Sequence, residues 1–564
     1  MPFMKKSLCL ALLGIAAMVR GATPTVTFHN FEYSGRDAVF AASAPAGTYR
    51  NPILAGFYPD PSICRVGDDF YLINSTFAYF PGIPIFHSRD LVNWRQLGHV
   101  ISRPEQLRYD GLGVSRGIFA PAISHHDGVF YVVCTMVDGG GNFVVTARDP
   151  AGPWSDPTYF DFEGIDPSLF FDDDGRAWLV NNGAPEGNPR YDGHRAIWQQ
   201  EFDPRTRTLI GPRRVIVNGG VDLARKPIWV EGPHLYKRDG WYYLCCAEGG
   251  TAEGHSQVIF RSRQVTGPFV PWDQNPILTQ RNLDGGAAGA VTSTGHADLV
   301  VGPDGGWWAV FLGCRPYADG TLYHTGRETF LLPVRWTDDG WPVILPAGAR
   351  VSAVGAGPRA QGVAPAVAPR GTAVPLNGNF TWRDAFDQPT LSPLWLTLRT
   401  LHSPWWRLRP GGGLEVTPLA ASLGGKANPA FLARRVQHMN FAARLALEVP
   451  AQPGVAAGLA VFQNERHHFF CGVRQGATGA MAFVEQASGE VVKVLATKEL
   501  PAGARVVELR ASGQGATLDF HWSIAPGEWH SLLDHADAKL LTTRVAGGFV
   551  GATVGPHARL EQPE

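Results

Sequence analysis

Three acidic residues recur at similar places in a repeated sequence pattern. After each acid come a short apolar strand, a turn with Asp or Gly, and an aromatic pair. The three copies read DPSICRVGDDFYL from Asp60, DPSLFFDDDGRAWL from Asp166 and EGPHLYKRDGWYYL from Glu231. Several carboxyl groups in one aromatic-lined pocket can divide the work of a general acid and a general base, which is the chemistry of glycosidic bond cleavage.

Two further copies complete the pattern, APAISHHDGVFYV from Ala120 and HADLVVGPDGGWWAV from His296. Five similar β-units predict a five-bladed β-propeller, in which each unit forms one blade and the inner strands converge on a central axis. The acids stand where inner strands begin. We therefore expect them to meet in one pocket near that axis.

The local sequence around each acid supports a directed side chain. Asp60 lies between two prolines in YPDPS, and proline fixes φ and removes a backbone donor, so the strand entry is rigid. An Asp that caps a local turn is the alternative. Asp166 in GIDPSLF repeats the arrangement, and Glu231 in WVEGPHLYK takes the same place in a third unit. The apolar residues 228–230 before Glu231 favour a raised pKa of its carboxyl group.

At these residues the chain resembles glycoside hydrolase family 43. The matching strings are NPILAGFYPDPS, STFAYFPGIPIFHSRDLVNW, GIFAPAISHHDGVFYV, GIDPSLFFDDDGRAWLV, EGPHLYKRDGWYY, TGHADLVVGPDGGWW and GRETFL. The resemblance implies a five-bladed propeller that hydrolyses xylosides or arabinofuranosides with inversion. By motif it makes Asp60 the general base, Glu231 the general acid, and Asp166 the carboxylate that tunes and orients the acid.

An inverting enzyme places a water between its base and the anomeric carbon, so its two working carboxyl groups stand about 6.5–9.5 Å apart. Asp60 must be ionised to take a proton from that water, and Glu231 must be protonated to give one to the leaving oxygen. Asp166 beside Glu231 would raise the pKa of the acid by like-charge repulsion. These roles imply a bell-shaped dependence of activity on pH.

The resemblance also names residues that contact the sugar. Phe77, in STFAYFPG, corresponds to the hydrophobic wall of the first sugar subsite, and packing between blades is its alternative role. Phe119 stands where related xylosidases usually carry Trp, which leaves a smaller stacking surface. Arg327, in GRET, corresponds to an arginine that contacts the substrate. A buried ion pair with a propeller carboxylate is the alternative for Arg327, and both roles can hold together.

His296, in TGHADLV, resembles a histidine in the axial channel behind the active site. In some family members that histidine binds calcium or another divalent cation, directly or through water. A hydrogen-bonded core histidine is the alternative. No organic cofactor is expected.

Composition excludes some partners. The chain has 564 residues with 49 basic and 50 acidic side chains, so no basic excess suggests nucleic acid or an anionic membrane as a partner. Of its seven cysteines, Cys9 lies in the N-terminal segment and the others mostly lie in apolar runs. We expect buried thiols rather than disulfides, and no Cys/His spacing resembles a zinc site.

The N-terminus resembles a secretory signal peptide, which we place at residues 1–22. Lys5 and Lys6 precede an apolar run that is too short to span a bilayer, and small residues follow it. This pattern predicts an exported protein, either periplasmic or extracellular.

The remaining chain is predicted to be all-β. Residues 23–48 are rich in small residues and are interpreted as a loose leader, and the propeller is placed at 49–346. Residues 347–375 are rich in Ala, Gly and Pro and predict a linker. Residues 376–564 show period-two alternation between turn residues, which predicts a β-sandwich of the concanavalin or jelly-roll kind.

The string GGFVGATVGPHA resembles the C-terminal sandwich that accompanies β-xylosidase propellers. In those proteins a loop leans over the pocket and shortens it, which would make Phe549 a wall of the substrate site. A free-standing carbohydrate-binding module is the alternative for the domain. A core strand position is the alternative for Phe549.

These observations predict an inverting exo-glycosidase that releases xylose from the non-reducing ends of β-1,4-xylo-oligosaccharides. An α-L-arabinofuranosidase, or a bifunctional enzyme that debranches arabinoxylan fragments, is the nearest alternative. A non-catalytic sugar-binding propeller would not need an acid paired with a base. A retaining sucrose- or fructan-cleaving propeller would carry Asn-Asp-Pro-Asn-Gly and Glu-Cys motifs, which are absent. The resemblance leaves a homo-oligomer open, since family members often form dimers or tetramers.

Overall fold

The computed structural model describes residues 23–41, 44–317, 320–358 and 368–561. The predicted signal peptide lies outside the described residues. Within them almost all regular structure is strand. The helices of the described chain are three 3₁₀ turns and one short α-helix: Ala38–Phe40, Leu223–Arg225, Ala538–Leu541 and Thr543–Ala546.

Five antiparallel sheets follow one another along the first part of the chain, and we call them blades 1 to 5. Blade 1 contains Ser62–Val66, Asp69–Ile73, Gly82–Ser88 and Arg95–Ile101. Blade 2 contains Gly117–Ile118, Ala122–His126, Val129–Val137, Gly141–Ala147 and Thr158–Tyr159. Blade 3 contains Ile165–Phe171, Ala177–Gly183, Ala196–Asp203 and Thr208–Asn218. Blade 4 contains Glu231–Arg238, Trp241–Glu248, Ser256–Ser262, Val270–Pro271 and Leu278–Thr279. Blade 5 contains Thr292–Val301, Trp307–Cys314, Glu328–Trp336 and Pro342–Val343.

The inner strands of the blades form a closed ring. Each contacts the inner strand of the next blade, and Thr292–Val301 of blade 5 contacts Ser62–Val66 of blade 1. The apolar cores lie between neighbouring blades, in five separate clusters, rather than at the centre of the ring. This arrangement is a five-bladed β-propeller, and it leaves the axis free to hold polar side chains.

The second domain is a sandwich of two antiparallel sheets with one large apolar core between them. The eight-stranded sheet contains Trp406–Leu408, Leu414–Val416, Val26–Gly35, Phe380–Asp384, Asn440–Glu448, Val506–Gln514, Thr517–Ser523 and His530–Asp537. The six-stranded sheet contains Arg434–Arg435, Thr553–Leu560, Val455–Asn464, His467–Gln475, Ala480–Ser488 and Val491–Glu499. The predicted all-β fold class is confirmed.

The loose leader predicted for residues 23–48 is wrong. Val26–Gly35 is an interior strand of the sandwich, and it pairs with Leu414–Val416, Phe380–Asp384 and Asn440–Glu448. The pairing register with Asn440–Glu448 shifts between Phe28 and Asn30. This irregularity moves the buried side chains from one parity of residue to the other, so no continuous period-two pattern marks the strand in the sequence.

The two domains are joined at several points. Tyr79–Phe80 of the propeller pairs with Thr397–Leu398 of the second domain. Buried Arg315 pairs with Glu328 of blade 5 and with Asp37, which follows the N-terminal strand. Buried charges are stable only when they are paired and hydrogen-bonded to one another. Because Arg315 pairs with residues of both domains, these contacts fix the two domains against one another.

The described part of the segment 347–375 is attached to the propeller rather than free. Its strand Val354–Ala356 pairs with Thr48–Arg50, and Thr372 exchanges backbone hydrogen bonds with Gln96 of blade 1. The boundaries assigned to this segment from its composition stay a prediction.

The six cysteines of the described residues are all free thiols, and all but Cys64 are buried. The prediction of buried thiols is therefore confirmed. No helix within the described ranges is long and apolar enough to cross a membrane.

The N-terminal strand makes a direct prediction about stability. Phe31 is fully buried between the two sheets of the sandwich, so Phe31→Ala should lower the free energy of unfolding by about 3–5 kcal/mol. Urea unfolding followed by circular dichroism measures this change. Thr25→Ala, at an exposed position just before the strand, is the matched control. Equal stability of the two variants would contradict the buried position of residues 26–35 in the sandwich and would favour a loose leader.

Candidate active site

One cavity of about 510 Å³ opens at the face of the propeller where the inner strands begin. All eight residues singled out from the sequence line it: Asp60, Phe77, Phe119, Asp166, Glu231, His296, Arg327 and Phe549. The structure therefore brings together acids from three blades and a phenylalanine from the second domain.

The inner strands enter the cavity through an unusual backbone conformation. Asp60, Asp166 and His296 have φ values of 51°, 54° and 51°, in the left-handed region that side chains other than Gly, Asn and Asp seldom adopt. The strand pairing is irregular just after Asp166 and around His296. Such strained entries cost of order 1–3 kcal/mol each and are concentrated at functional sites.

Glu231 does not take the place that Asp60 and Asp166 take in their blades, as the sequence pattern suggested. That place belongs to Gly232, which has a φ of 54° and, like both aspartates, precedes a proline. A Cβ atom on Gly232 would lie 2.8 Å from the His296 ring, so the position must be glycine. The acid of blade 4 therefore stands one residue earlier in the chain.

Asp60 is held as an anion. Its Oδ1 accepts a hydrogen bond from Arg327 at 2.8 Å, and its Oδ2 accepts one from the Ser75 hydroxyl at 2.6 Å. Burial by itself raises the pKa of a carboxyl group, but the Arg327 charge, His296 and the Ser75 bond outweigh it, and the pKa of Asp60 is lowered. An ionised, buried carboxylate can accept a proton from a neighbouring water.

Arg327 connects several walls of the cavity. Besides Asp60, its guanidinium donates to the Thr251 hydroxyl at 3.1 Å and to the backbone carbonyl of Phe549 at 3.4 Å. It also lies over the rings of Phe77 and Phe549, at 5.7 and 5.6 Å. The buried ion pair considered for Arg327 is therefore present, and its partner is Asp60.

Asp166 is tied to the backbone beside the acid. Its Oδ2 accepts a hydrogen bond from the N–H of Gly232 at 3.1 Å, across the boundary between blades 3 and 4. Burial and the charge of Asp60 raise the pKa of Asp166 to about 7, against the Gly232 bond and Arg327, which lower it. Asp166 thus holds the chain next to Glu231 and, in its ionised form, adds to the negative potential there.

Glu231 is the carboxyl group whose surroundings favour the protonated form. Its pKa is raised well above the usual range by burial, then by Asp166 and Asp60, against smaller lowering effects of Arg327 and Arg195. Asp60 and Glu231 thus differ in the direction of their pKa shifts. This contrast is the condition for a general base and a general acid in one site.

Three phenylalanines form an apolar wall. The Phe77 and Phe119 rings meet edge to face at 5.6 Å, the Phe77 and Phe549 rings stack at 6.1 Å, and Phe119 meets Phe549 at 5.7 Å. Phe77 itself is buried, with a φ of 52°. The packing and cavity-wall roles considered for Phe77 are therefore both observed.

Phe549 comes from the second domain. It lies in the loop between Thr543–Ala546 and Thr553–Leu560, so the alternative of a core strand position is wrong. Its backbone N–H donates to the Ser115 hydroxyl of the propeller at 2.9 Å. The second domain thus contributes a wall to the cavity instead of standing apart from it.

His296 is buried among charged neighbours, and burial lowers its pKa to about 4, so the ring is neutral near pH 7. Within the described residues there is no group of three His, Cys, Asp or Glu side chains that could hold a metal ion. Calcium prefers six to eight oxygen ligands, and one imidazole does not supply them. Calcium or another divalent cation at His296 stays a prediction.

Sequence reasoning missed several cavity residues. Ser75, which bonds Asp60, and Thr251, which bonds Arg327, carry no signal beyond their place in loops after a strand. Arg116 and Arg195 line the cavity from connections between strands. Trp229, one of the apolar residues 228–230 that precede Glu231, is 37% exposed and lines the cavity itself.

The pKa pattern predicts the effect of Asp166→Asn. Removing a negative neighbour should lower the pKa of Glu231, so this acid would lose its proton at a lower pH than in the wild type. The alkaline limb of the pH profile of kcat/KM should therefore move to lower pH, as measured with buffered initial rates. Asp172→Asn, which changes a carboxylate paired with Lys237, is the control. An alkaline limb that stays in place or moves up would contradict the assignment.

Comparisons with known proteins agree with this geometry. The family model described as glycosyl hydrolases family 43 matches residues 49–342, and that of the β-xylosidase C-terminal concanavalin A-like domain matches residues 383–562. A xylosidase/arabinosidase of Butyrivibrio fibrisolvens is 39% identical over 90% of this chain and 95% of that protein. A non-reducing end α-L-arabinofuranosidase of Bacteroides ovatus is 36% identical, covering 91% of each chain.

Solved structures show the same two-domain arrangement. A GH43_12 protein from a capybara gut metagenome has a TM-score of 0.87 at 38% identity, covering 95% of this chain and all of that one. A xylan β-1,4-xylosidase from Bacillus halodurans C-125 has a TM-score of 0.79 at 33% identity, covering 91% of this chain and 96% of that one. The chain therefore belongs to glycoside hydrolase family 43.

Proposed function

We propose that the protein releases xylose, with inversion, from the non-reducing ends of β-1,4-xylo-oligosaccharides. One observation carries this proposal: Asp60, whose pKa is lowered, and Glu231, whose pKa is raised, face one cavity whose wall is aromatic. A protein that only binds sugar needs no such pair of carboxyl groups with opposed pKa shifts.

The chemistry follows from these protonation states. Asp60 takes a proton from a water, whose oxygen attacks the anomeric carbon from the face opposite the leaving group. Glu231 gives its proton to the glycosidic oxygen as that bond breaks. Arg327 keeps Asp60 ionised and oriented, and Asp166 keeps Glu231 protonated and fixes the chain beside it. The product sugar then carries the new hydroxyl in the inverted configuration.

The closed wall supports exo action. Phe549 and its loop cover the cavity beside Phe77, and Arg327 bonds the backbone of that loop. A chain that had to continue beyond the reacting sugar on this side would meet these residues. The cavity therefore fits a terminal sugar better than the middle of a polymer.

An α-L-arabinofuranosidase activity is the second candidate. Relatives that match over almost the whole chain bear the names xylosidase/arabinosidase and non-reducing end α-L-arabinofuranosidase, besides β-xylosidase. The two sugars present similarly placed hydroxyls around the reacting carbon. We therefore propose that one pocket accepts both, with arabinoxylan fragments as the second class of substrate.

We also propose that the protein is exported, to the periplasm or beyond, because xylan fragments arise outside the cell. The basic and apolar N-terminal segment is the support for this proposal. A homo-oligomer is a further proposal, and it rests on the family resemblance alone.

Initial rates on two chromogenic substrates test the function. We expect faster hydrolysis of a β-D-xylopyranoside and measurable hydrolysis of an α-L-arabinofuranoside. Proton NMR of fresh hydrolysate from the xyloside should show α-xylose first. A strong preference for the arabinofuranoside would make debranching the main activity, and inactivity on both would refute the proposed function.

Variants of the two working carboxyl groups test the roles. Asp60→Asn should reduce hydrolysis of every substrate by about 10²–10⁴-fold, because no base remains. Glu231→Gln should reduce hydrolysis of xylobiose similarly but spare β-xylosyl fluoride, whose leaving group needs no proton. Initial rates and circular dichroism are measured for both variants.

Glu248→Gln is the matched control, since Glu248 is a buried glutamate of blade 4 that bonds the backbone of Val221 and does not line the cavity. Near-normal hydrolysis of xylobiose by Asp60→Asn or Glu231→Gln would refute the assigned roles.

A further inference from the structure

The rim of the cavity carries an exposed tryptophan. Trp229 is 37% exposed, and every other tryptophan in the described ranges is more buried. Its backbone has a φ of 54°, and its N–H donates to the carbonyl of Gly193 at 2.9 Å. This strained, hydrogen-bonded backbone keeps a large apolar ring exposed to solvent at the cavity, although such rings are usually buried in a core.

Arg195 lies on this tryptophan. Its guanidinium carbon is 4.6 Å from the centre of the Trp229 ring, which is cation–π geometry. Arg116 on the same rim is paired with Asp138, and Arg327 is paired with Asp60. Arg195 has no hydrogen bond or ion pair of its side chain within the described chain, so its five N–H donors remain available to a ligand.

The position of this pair relative to the acid decides its role. Trp229 stands two residues before Glu231, on the strand entry of blade 4. Phe77 and Phe549 stack on each other beside Arg327, and Arg327 bonds Asp60. The proton of Glu231 goes to the oxygen of the leaving sugar. The leaving sugar must therefore lie on the Glu231 side of the cavity, where Trp229 and Arg195 are.

We propose that Trp229 and Arg195 form the subsite for the leaving sugar. The aromatic face takes the apolar face of a pyranose ring, and the guanidinium donates to its hydroxyl groups. A xylose unit of a xylo-oligosaccharide, or the backbone xylose from which an arabinofuranose is cleaved, has the required chemistry. This inference rests on the proposed function and adds the residues that select the leaving group.

Three xylosides with different leaving groups test the subsite. Xylobiose needs both protonation and a leaving-sugar subsite, methyl β-D-xyloside needs protonation only, and β-xylosyl fluoride needs neither. Trp229→Ala should lower kcat/KM for xylobiose by about 10- to 200-fold and leave the other two substrates within about twofold. Arg195→Gln should show the same pattern with a smaller loss. Glu231→Gln, in contrast, should impair both xylobiose and methyl β-D-xyloside.

A matched pair of controls lies outside the cavity. Arg263 stacks on Trp241 with its guanidinium carbon 3.6 Å from the ring centre, so Trp241→Ala and Arg263→Gln remove a similar stack elsewhere on blade 4 and should leave all three rates unchanged.

Equal losses of Trp229→Ala on xylobiose and methyl β-D-xyloside would overturn the inference, because they would show that Trp229 only positions Glu231. An unchanged rate on xylobiose would overturn it as well. Failure of the proposed function looks different, since the wild type would then release xylose from none of the three substrates.

Discussion

The ion pair between Asp60 and Arg327 is the interaction on which the site depends. A buried carboxylate beside two other carboxyl groups would otherwise take up a proton, because desolvation and repulsion both favour the neutral form. The positive charge of Arg327 keeps Asp60 ionised. The same charge placed nearer to Glu231 would lower the pKa of Glu231 and so oppose its role as the acid. Arg327 also bonds the loop of the second domain, so the protonation pattern and the shape of the cavity share one residue.

The propeller permits buried polar groups at its axis because its apolar cores lie between the blades. Five clusters between blades supply the burial that stabilises the fold, and the inner strands can then begin at polar residues with a left-handed backbone. Acids that are distant in sequence, such as Asp60 and Glu231, meet because each lies at the entry to an inner strand of its own blade. The surrounding sheets, whose apolar cores lie between the blades, hold these strained positions in place.

The sequence alone indicated the acids, because Asp-Pro-Ser occurs twice and the blades repeat, and the resemblance extended this to Phe77, Arg327 and Phe549. The sequence repeat aligns Glu231 with Asp60 and Asp166, which is one residue out of register. The structural reason that Gly232 takes the equivalent position is its contact with the His296 ring, which the repeat does not show. Trp229 and Arg195 belong to connections without a repeated pattern. The contact between these two residues depends on how blades 3 and 4 pack, which a local repeat in the sequence does not show.

The interior place of Val26–Gly35 has a consequence for how the protein is made. Phe31 lies opposite Leu445, so this strand leaves the ribosome long before its neighbour on that side is translated. The whole propeller is synthesised in between and can close its own ring first. Until then this apolar strand lacks its partner and exposes apolar surface during synthesis, and the second domain can be completed only after Asn440–Glu448 has been translated.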